Sequence, residues 1–202
     1  PRDLKAVVLD DLIKETQFSL DQNNSDVMKL VWWIPSEFWG VVYAQDESVD
    51  DQTAADIVDA LDDYTIVLVI DGDVGSFGDF KPRSAKEVKR NLTVFDEEGK
   101  EFEAIDDADI NFQALMFLNM LKPILGNLLG KMGESMNVLV FEKEGQKIID
   151  PYEEGGNLKY GKDVIDLDLP LASLLQDKEC PVDNEPMNAK WKYCPYHGDE
   201  LE

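Results

Sequence analysis

The residues best placed to do chemistry in this 202-residue chain lie near its C-terminal end. There Cys180-Pro-Val-Asp183 is followed after ten residues by Cys194-Pro-Tyr-His197-Gly198. Two donors three positions apart on a tight turn converge on one cation, and thiolate, imidazole and carboxylate are all competent zinc ligands. Asn184 and Gly198 follow the second donor of each pair, and both residue types tolerate the left-handed backbone that such turns demand. Cys180, Asp183, Cys194 and His197 are therefore the candidate metal ligands, and four protein donors make a closed, structural site. Cys180 and Cys194 are also the only two cysteines. A disulfide between them would contribute about 3 kcal/mol through loop entropy. A third reading dispenses with both and holds the segment by packing of Trp191, Tyr193 and Tyr196. The spacing suits all three.

Elsewhere the signals are weaker. Asp71-Gly-Asp73-Val-Gly75 follows an apolar run, Thr65 to Ile70, and carboxylates at the end of a strand are where α/β sites often sit. A calcium loop numbered from Asp71 would need glycine at 76 and glutamate at 82, where Ser76 and Pro82 stand. The pair could still hold Mg²⁺ or Mn²⁺ against a phosphate, although no phosphate cradle adjoins it; the plainer reading is a polar turn capping a strand. Trp32, Trp33, Phe38, Trp39 and Tyr43 could stack on a sugar or peptide, or simply fill a core. His197 is the only histidine, which excludes Ser-His-Asp or Cys-His catalysis elsewhere in the chain. Carboxylate pairs remain, but 43 acids offer too many to choose from.

Those 43 acids stand against 19 bases, a formal charge of −24. The balance argues against a nucleic-acid or anionic-lipid surface, which needs clustered Lys and Arg. Nine Phe, six Tyr and four Trp argue against disorder. Twelve acids, from Glu37 to Asp79, lie between Lys29 and Lys81 without one Lys or Arg, and read as a solvated face or a cation-seeking one. No membrane span is expected in the mature chain, because Ala114 to Leu129 is broken by Asn119, Lys122, Pro123 and Asn127 and falls short of the ~20 residues required. The opening Pro1-Arg2 fits a processed chain whose signal peptide has been removed, hence export to the periplasm or the medium.

The elements that must position these residues follow from periodicity. Leu4 to Ile13 and Thr16 to Leu20 read as strands, and Leu30 to Ile34 as a strand stopped by Pro35. Trp39 to Ala44 reads as extended or as a short helix. Asp50 to Asp63 carries the stripe of an amphipathic helix at Ala54, Ile57, Val58 and Leu61. Thr65 to Ile70 is a buried central strand, Gly72 to Pro82 a loop, and Ser84 with Glu87 a capping box opening a helix to about Leu92. Leu92 to Phe95 and Glu101 to Ile105 form a hairpin, and residues 109–131 a long central helix kinked at Pro123 and loosened at Gly126, Gly130 and Gly133. Met136 to Phe141 with Gln146 to Ile149 make a second hairpin, and Leu158 to Leu169 a further strand or strand pair. Val94-Phe-Asp-Glu-Glu-Gly99 and Val140-Phe-Glu-Lys-Glu-Gly145 echo each other, through a duplication or, on the plainer reading, shared turn chemistry. The expectation is an α+β main domain, residues 1–175, with a mixed or mainly antiparallel sheet packed on the long kinked helix. A zinc-ribbon-like module, residues 176–202, follows it.

The segment from Cys180 to Gly198 resembles the C-terminal zinc ribbons of bacterial proteins, whose usual form is Cys-Pro-x-Cys-Gly in both halves. Asp183 and His197 stand where those ribbons have cysteine. With Trp32-Trp-Ile-Pro-Ser-Glu-Phe-Trp39, Asp71-Gly-Asp-Val-Gly75, Phe77-Gly78, Lys122-Pro123 and Met132-Gly133, the chain resembles a group of uncharacterised exported bacterial proteins carrying such a ribbon. The resemblance implies a structural zinc and supplies no activity to carry over. The expected function is a non-catalytic exported interaction or structural protein with a protein or small-molecule partner. The alternative is a divalent-metal or carboxylate hydrolase with its site near Asp71 and Asp73.

Overall fold

The computed structural model describes the whole chain except Glu47, residues 130–132, Glu134 and Glu202, and the backbone alone for residues 122–129. The first element departs from expectation. Instead of a strand over residues 4–13, Leu4–Ala6 form a 3-10 turn and Leu9–Thr16 helix α1. Leu9, Leu12, Ile13 and Thr16 recur at helical spacing, Leu12 and Thr16 are buried, and Asp10 and Asp11 occupy the first turn, where the helix dipole favours acids. The Thr16 hydroxyl donates back to the Leu12 carbonyl before the chain straightens into strand β1, Gln17–Leu20.

Strand β2, Val27–Ile34, pairs antiparallel with β1 and stops at Pro35. Helix α2, Ser36–Ala44, and helix α3, Asp51–Asp62, follow, the latter capped by the Asp50 carboxylate on the Thr53 amide. Strand β3, Thr65–Val74, is longer than its apolar run, because the expected loop over 72–82 is a hairpin with β4, Phe80–Pro82. Gly72 is needed there: a Cβ would stand 2.5 Å from the Phe80 ring and 2.6 Å from the Lys81 carbonyl. Helix α4, Ala85–Asn91, opens with the Ser84–Glu87 capping box, and β5, Leu92–Phe95, turns through Gly99, at φ +77°, into β6, Glu101–Phe102.

Helix α5, Phe112–Leu129, starts where the Asn111 side chain accepts from the Ala114 amide. It buries Ala114, Phe117, Leu118 and Leu121, and the Phe117 ring meets Trp39 of α2 edge-on at 5.2 Å. The helix spans a shorter stretch than the expected 109–131 and continues past Pro123 to Leu129; the loosening expected at Gly130 lies outside the described residues. Strand β7, Asn137–Phe141, pairs with β3, but the hairpin expected after it shrinks to one bridge between Lys143 and Gln146. The amides of Ile148 and Ile149 turn instead to the Thr65 hydroxyl. Strands β8, Asn157–Tyr160, and β9, Asp163–Asp166, form the expected strand pair.

Two sheets result. In the first, β3 pairs along one edge with β2 and divides its other edge between β7 and β4; in the second the order is β6-β5-β8-β9. Every described pairing is antiparallel. Both sheets feed one core, in which Trp33, Ile66, Phe141 and Leu158 are fully enclosed. Adjacent strand positions face opposite ways, and Trp32 accordingly lies half-buried, its ring edge-on to Phe38 at 5.3 Å. The aromatic segment is core packing.

The base-free acidic block is answered by bases distant in sequence. Lys147 stands 2.8 Å from Asp62 and 3.5 Å from Glu37, and Arg83 holds Asp73. Asp50, Asp51, Asp56 and Asp59 remain on the exposed side of α3, so most of that helix's charge is solvated. The turn between β5 and β6 carries its own charge device. Asp96 is buried, accepts from the Lys143 ammonium at 2.8 Å and from the amides of Glu98 and Lys100. Lys143 first, then the amides, hold its carboxyl below the usual aspartate value against the opposing effect of desolvation. A lowered folded-state value means stabilisation that is full above about pH 4 and lost as pH falls through that value. Asp96→Asn is expected to be less stable than the natural chain at neutral pH and to converge with it in strong acid. Denaturant melts across an acid series read this directly, and a gap unchanged down to strong acid would remove the charge from the explanation.

Candidate metal centre

Residues beyond the 3-10 turn Ala172–Leu174 build a second, separate cluster of buried side chains: Cys180, Met187, Cys194 and Leu201. Its only described strands are β10, Lys178–Glu179, and β11, Pro186–Met187, paired antiparallel. Such a short ladder needs the turn between its strands to be well defined. That turn begins at Cys180, where the Asn184 amide donates to the Cys180 carbonyl at 2.8 Å and the Cys180 amide to the Glu185 carbonyl at 3.0 Å. The second half repeats it: Gly198 donates to Cys194 at 2.8 Å and Cys194 to Asp199 at 2.8 Å. Asn184 and Gly198 adopt φ of +59° and +79°, the left-handed positions expected from sequence.

The two turns aim their donors at each other. His197 Nδ1 lies 3.3 Å from Cys180 Sγ and 3.5 Å from Cys194 Sγ, and the three donor atoms lie within 4.8 Å of one another. Asp183 Oδ2 is 3.8 Å from the same nitrogen, at the rim of the group. Of the four candidate ligands, three therefore form a compact set and the fourth borders it. Both cysteines are buried free thiols, whereas about a third of the His197 side chain reaches solvent.

The turn backbone prepares the sulfurs for a cation. Burial pushes the Cys180 thiol up, the amides of Val182 and Asp183 oppose that, and its bond to the Asp183 carboxylate adds to the rise. Burial acts on Cys194 too, but the amides of Tyr196 and His197, with Cys180 and the imidazole, outweigh it and lower its value. Asp183 in turn is lowered, chiefly by the Cys180 thiol. The two sulfurs are thus inequivalent, Cys180 held as the weaker acid and Cys194 as the stronger. A bound cation would displace their protons, since only thiolates ligate. With Zn–S near 2.3 Å and Zn–N near 2.0–2.1 Å, a tetrahedral ion spaces sulfur and nitrogen roughly 3.5 Å apart, which is the spacing found here.

Asp71 and Asp73 are brought together differently. They share a face of β3, and Arg83 straddles them: its guanidinium donates to both Asp73 oxygens at 2.6 and 3.0 Å and stands 3.9 Å from Asp71 Oδ1. Asp71 is buried and its other oxygen accepts from the Tyr160 hydroxyl at 2.7 Å. Burial and that carboxylate push the Tyr160 phenol well above its ordinary value, so it remains a donor. The pair is occupied by the protein's own cation and hydroxyl. Sequence reasoning missed Tyr160 and Arg83 as partners, and equally the polar knot of Ser36, Glu37, Asp62 and Lys147, where burial raises Glu37 against the pull of Lys147. Among the described residues no helix is long and apolar enough to cross a membrane.

The chain shows no significant match to a protein-family model, a curated protein or a solved structure.

Proposed function

We propose that residues 176–202 form a zinc ribbon in which Cys180, Cys194, His197 and, at its rim, Asp183 hold a structural zinc ion. In this reading the chain is a non-catalytic, exported interaction protein whose C-terminal module is stapled by that metal. The observation that carries it is the convergence of two matching turns on one point, with His197 Nδ1 at 3.3 and 3.5 Å from the two sulfurs. With Asp183 drawn in as the fourth donor the set would be closed and leave no open position for a substrate, so the ion's contribution would be to folding. Export rests on the sequence resemblance. The competing hydrolase near Asp71 and Asp73 has less support, because Arg83 and Tyr160 already take up those carboxylates.

Metal analysis combined with thiol titration tests this. About one zinc per chain is expected, with both thiols unreactive until a chelator is added. Absence of zinc, together with absence of reactive thiols after denaturation without reductant, would establish the disulfide instead.

A further inference from the structure

The module carries more exposed aromatic surface than a staple needs. Trp191 is 45% exposed, Tyr193 52% and Tyr196 78%, all within six residues. Aromatic rings left in water at this density are characteristic of recognition surfaces, where Trp and Tyr supply most of the binding energy. Trp191 and Tyr196 line one groove of about 600 Å³, together with Met187, Glu185, Asp183 and His197. Its volume falls in the range of clefts that take small-molecule-sized groups, ~300–1,000 Å³.

Of the described residues that line the groove, Asp183 and Glu185 are acidic and none is Lys or Arg; three lysines border it, each with a partner of its own. Lys178 donates to the Trp191 carbonyl, Lys190 to Asp168, and Lys192 sits over the Tyr193 ring at 5.4 Å and 3.9 Å from Glu200. That last contact is a cation–π pair already formed on this surface. The Trp191 backbone is held from both sides, since its amide donates to the Asn188 carbonyl at 3.0 Å while its own carbonyl accepts from Lys178. A net charge of −24 raises the encounter rate with cations.

We propose that this groove binds a lysine or arginine side chain of a partner polypeptide, with the Trp191 and Tyr196 rings and the Glu185 carboxylate as its contacts. The proposal rests on the reading of residues 176–202 as a metal-held interaction module and names the chemistry of its partner. Aromatic faces attract cations through the ring quadrupole, and a nearby carboxylate adds a direct ion pair. A bare metal ion would make no use of the rings, and an anionic partner would meet Asp183 and Glu185.

The test titrates the full zinc-loaded chain with a short glycine-flanked arginine peptide, followed by amide and indole NMR shifts, with an all-glycine peptide as control. Saturable shifts confined to residues 183–197 and the Trp191 indole are expected. Trp191→Ala and Glu185→Gln should each weaken binding about tenfold, and Glu97→Gln and Asp63→Asn, which place the same charge loss on the main domain, should not. Zinc content and amide dispersion of each variant show that its module is intact. Shifts spread over residues 51–62, with the pocket variants binding as the natural chain does, would overturn the proposal and leave only general charge attraction. A module that stays folded in a chain that takes up no zinc would overturn the metal reading, whereas a folded, zinc-loaded module without local shifts would overturn the groove alone.

Discussion

Cys194→Ser is expected to unfold residues 178–201 while the two large sheets stay folded. The reason is the size of what would remain. Apart from the two cysteines, the module's described buried cluster contains only Met187 and Leu201, and its ladder is two residues long. Apolar burial on that scale cannot offset the conformational entropy of ordering more than twenty residues at about 1–2 kcal/mol each. A structural zinc supplies apparent binding free energies of about 10–16 kcal/mol, all of which becomes folding free energy when the site forms only in the folded state. Losing one thiolate removes a strong donor and leaves a two-donor remnant with Asp183 at its rim. The measurement is the amide spectrum: signals of 178–201 should collapse toward random-coil positions, with zinc lost, while signals of 65–74 and 137–141 hold. Chelation of the natural chain should reproduce the same spectrum. Asp183→Ala should be milder, keeping the fold at a reduced zinc affinity, because its carboxylate stands outside the compact set. A Cys194→Ser variant with an unchanged, dispersed module would mean that packing of the aromatic residues holds it without metal.

The convergence of Cys180, Cys194 and His197 could be read from sequence because everything that shapes it is local. Donors three residues apart, a proline after each cysteine, and Asn184 or Gly198 where the backbone turns left-handed all act within one turn. The capping box at Ser84, the helix over 51–62 and the hairpin closed by Gly99 were legible for the same reason. What escaped depends on pairing between distant segments. Nothing near Thr65 in sequence says that its hydroxyl will serve the amides of Ile148 and Ile149, which is why those residues are not a strand. Lys147 meets Glu37 across 110 positions, so a stretch that reads as base-free is compensated once the chain is folded. Helix α1 was lost for a simpler cause: short apolar runs rich in valine and leucine suit strand and helix alike, and only the stripe from Leu9 to Thr16 separates them.

Tyr160→Phe is expected to destabilise the main domain by about 3 kcal/mol, although it removes one oxygen atom. Tyr160 belongs to β8 of one sheet and Asp71 to β3 of the other, so their bond at 2.7 Å ties the two sheets through the interior. Asp71 Oδ1 is already without a hydrogen bond among the described residues, and Arg83 approaches it only to 3.9 Å. Deleting the phenol would leave a buried carboxylate with no hydrogen bond on either oxygen, and the penalty is that of the stranded group rather than of the bond itself. Denaturant melts of Tyr160→Phe, Asp71→Asn and the double variant measure the coupling. The double variant should cost less than the sum of the singles, because the stranded carboxylate is absent from it. Asp71→Asn alone also bears on function. An amide can still accept from Tyr160 but places its nitrogen where Oδ1 has no acceptor to offer, so a structural carboxylate predicts a loss of stability on substitution. A gain would mean that the chain retains a destabilising buried charge, the mark of a group kept for chemistry. That result would restore the hydrolase reading at Asp71, and a loss of stability would mark Asp71 as a structural group.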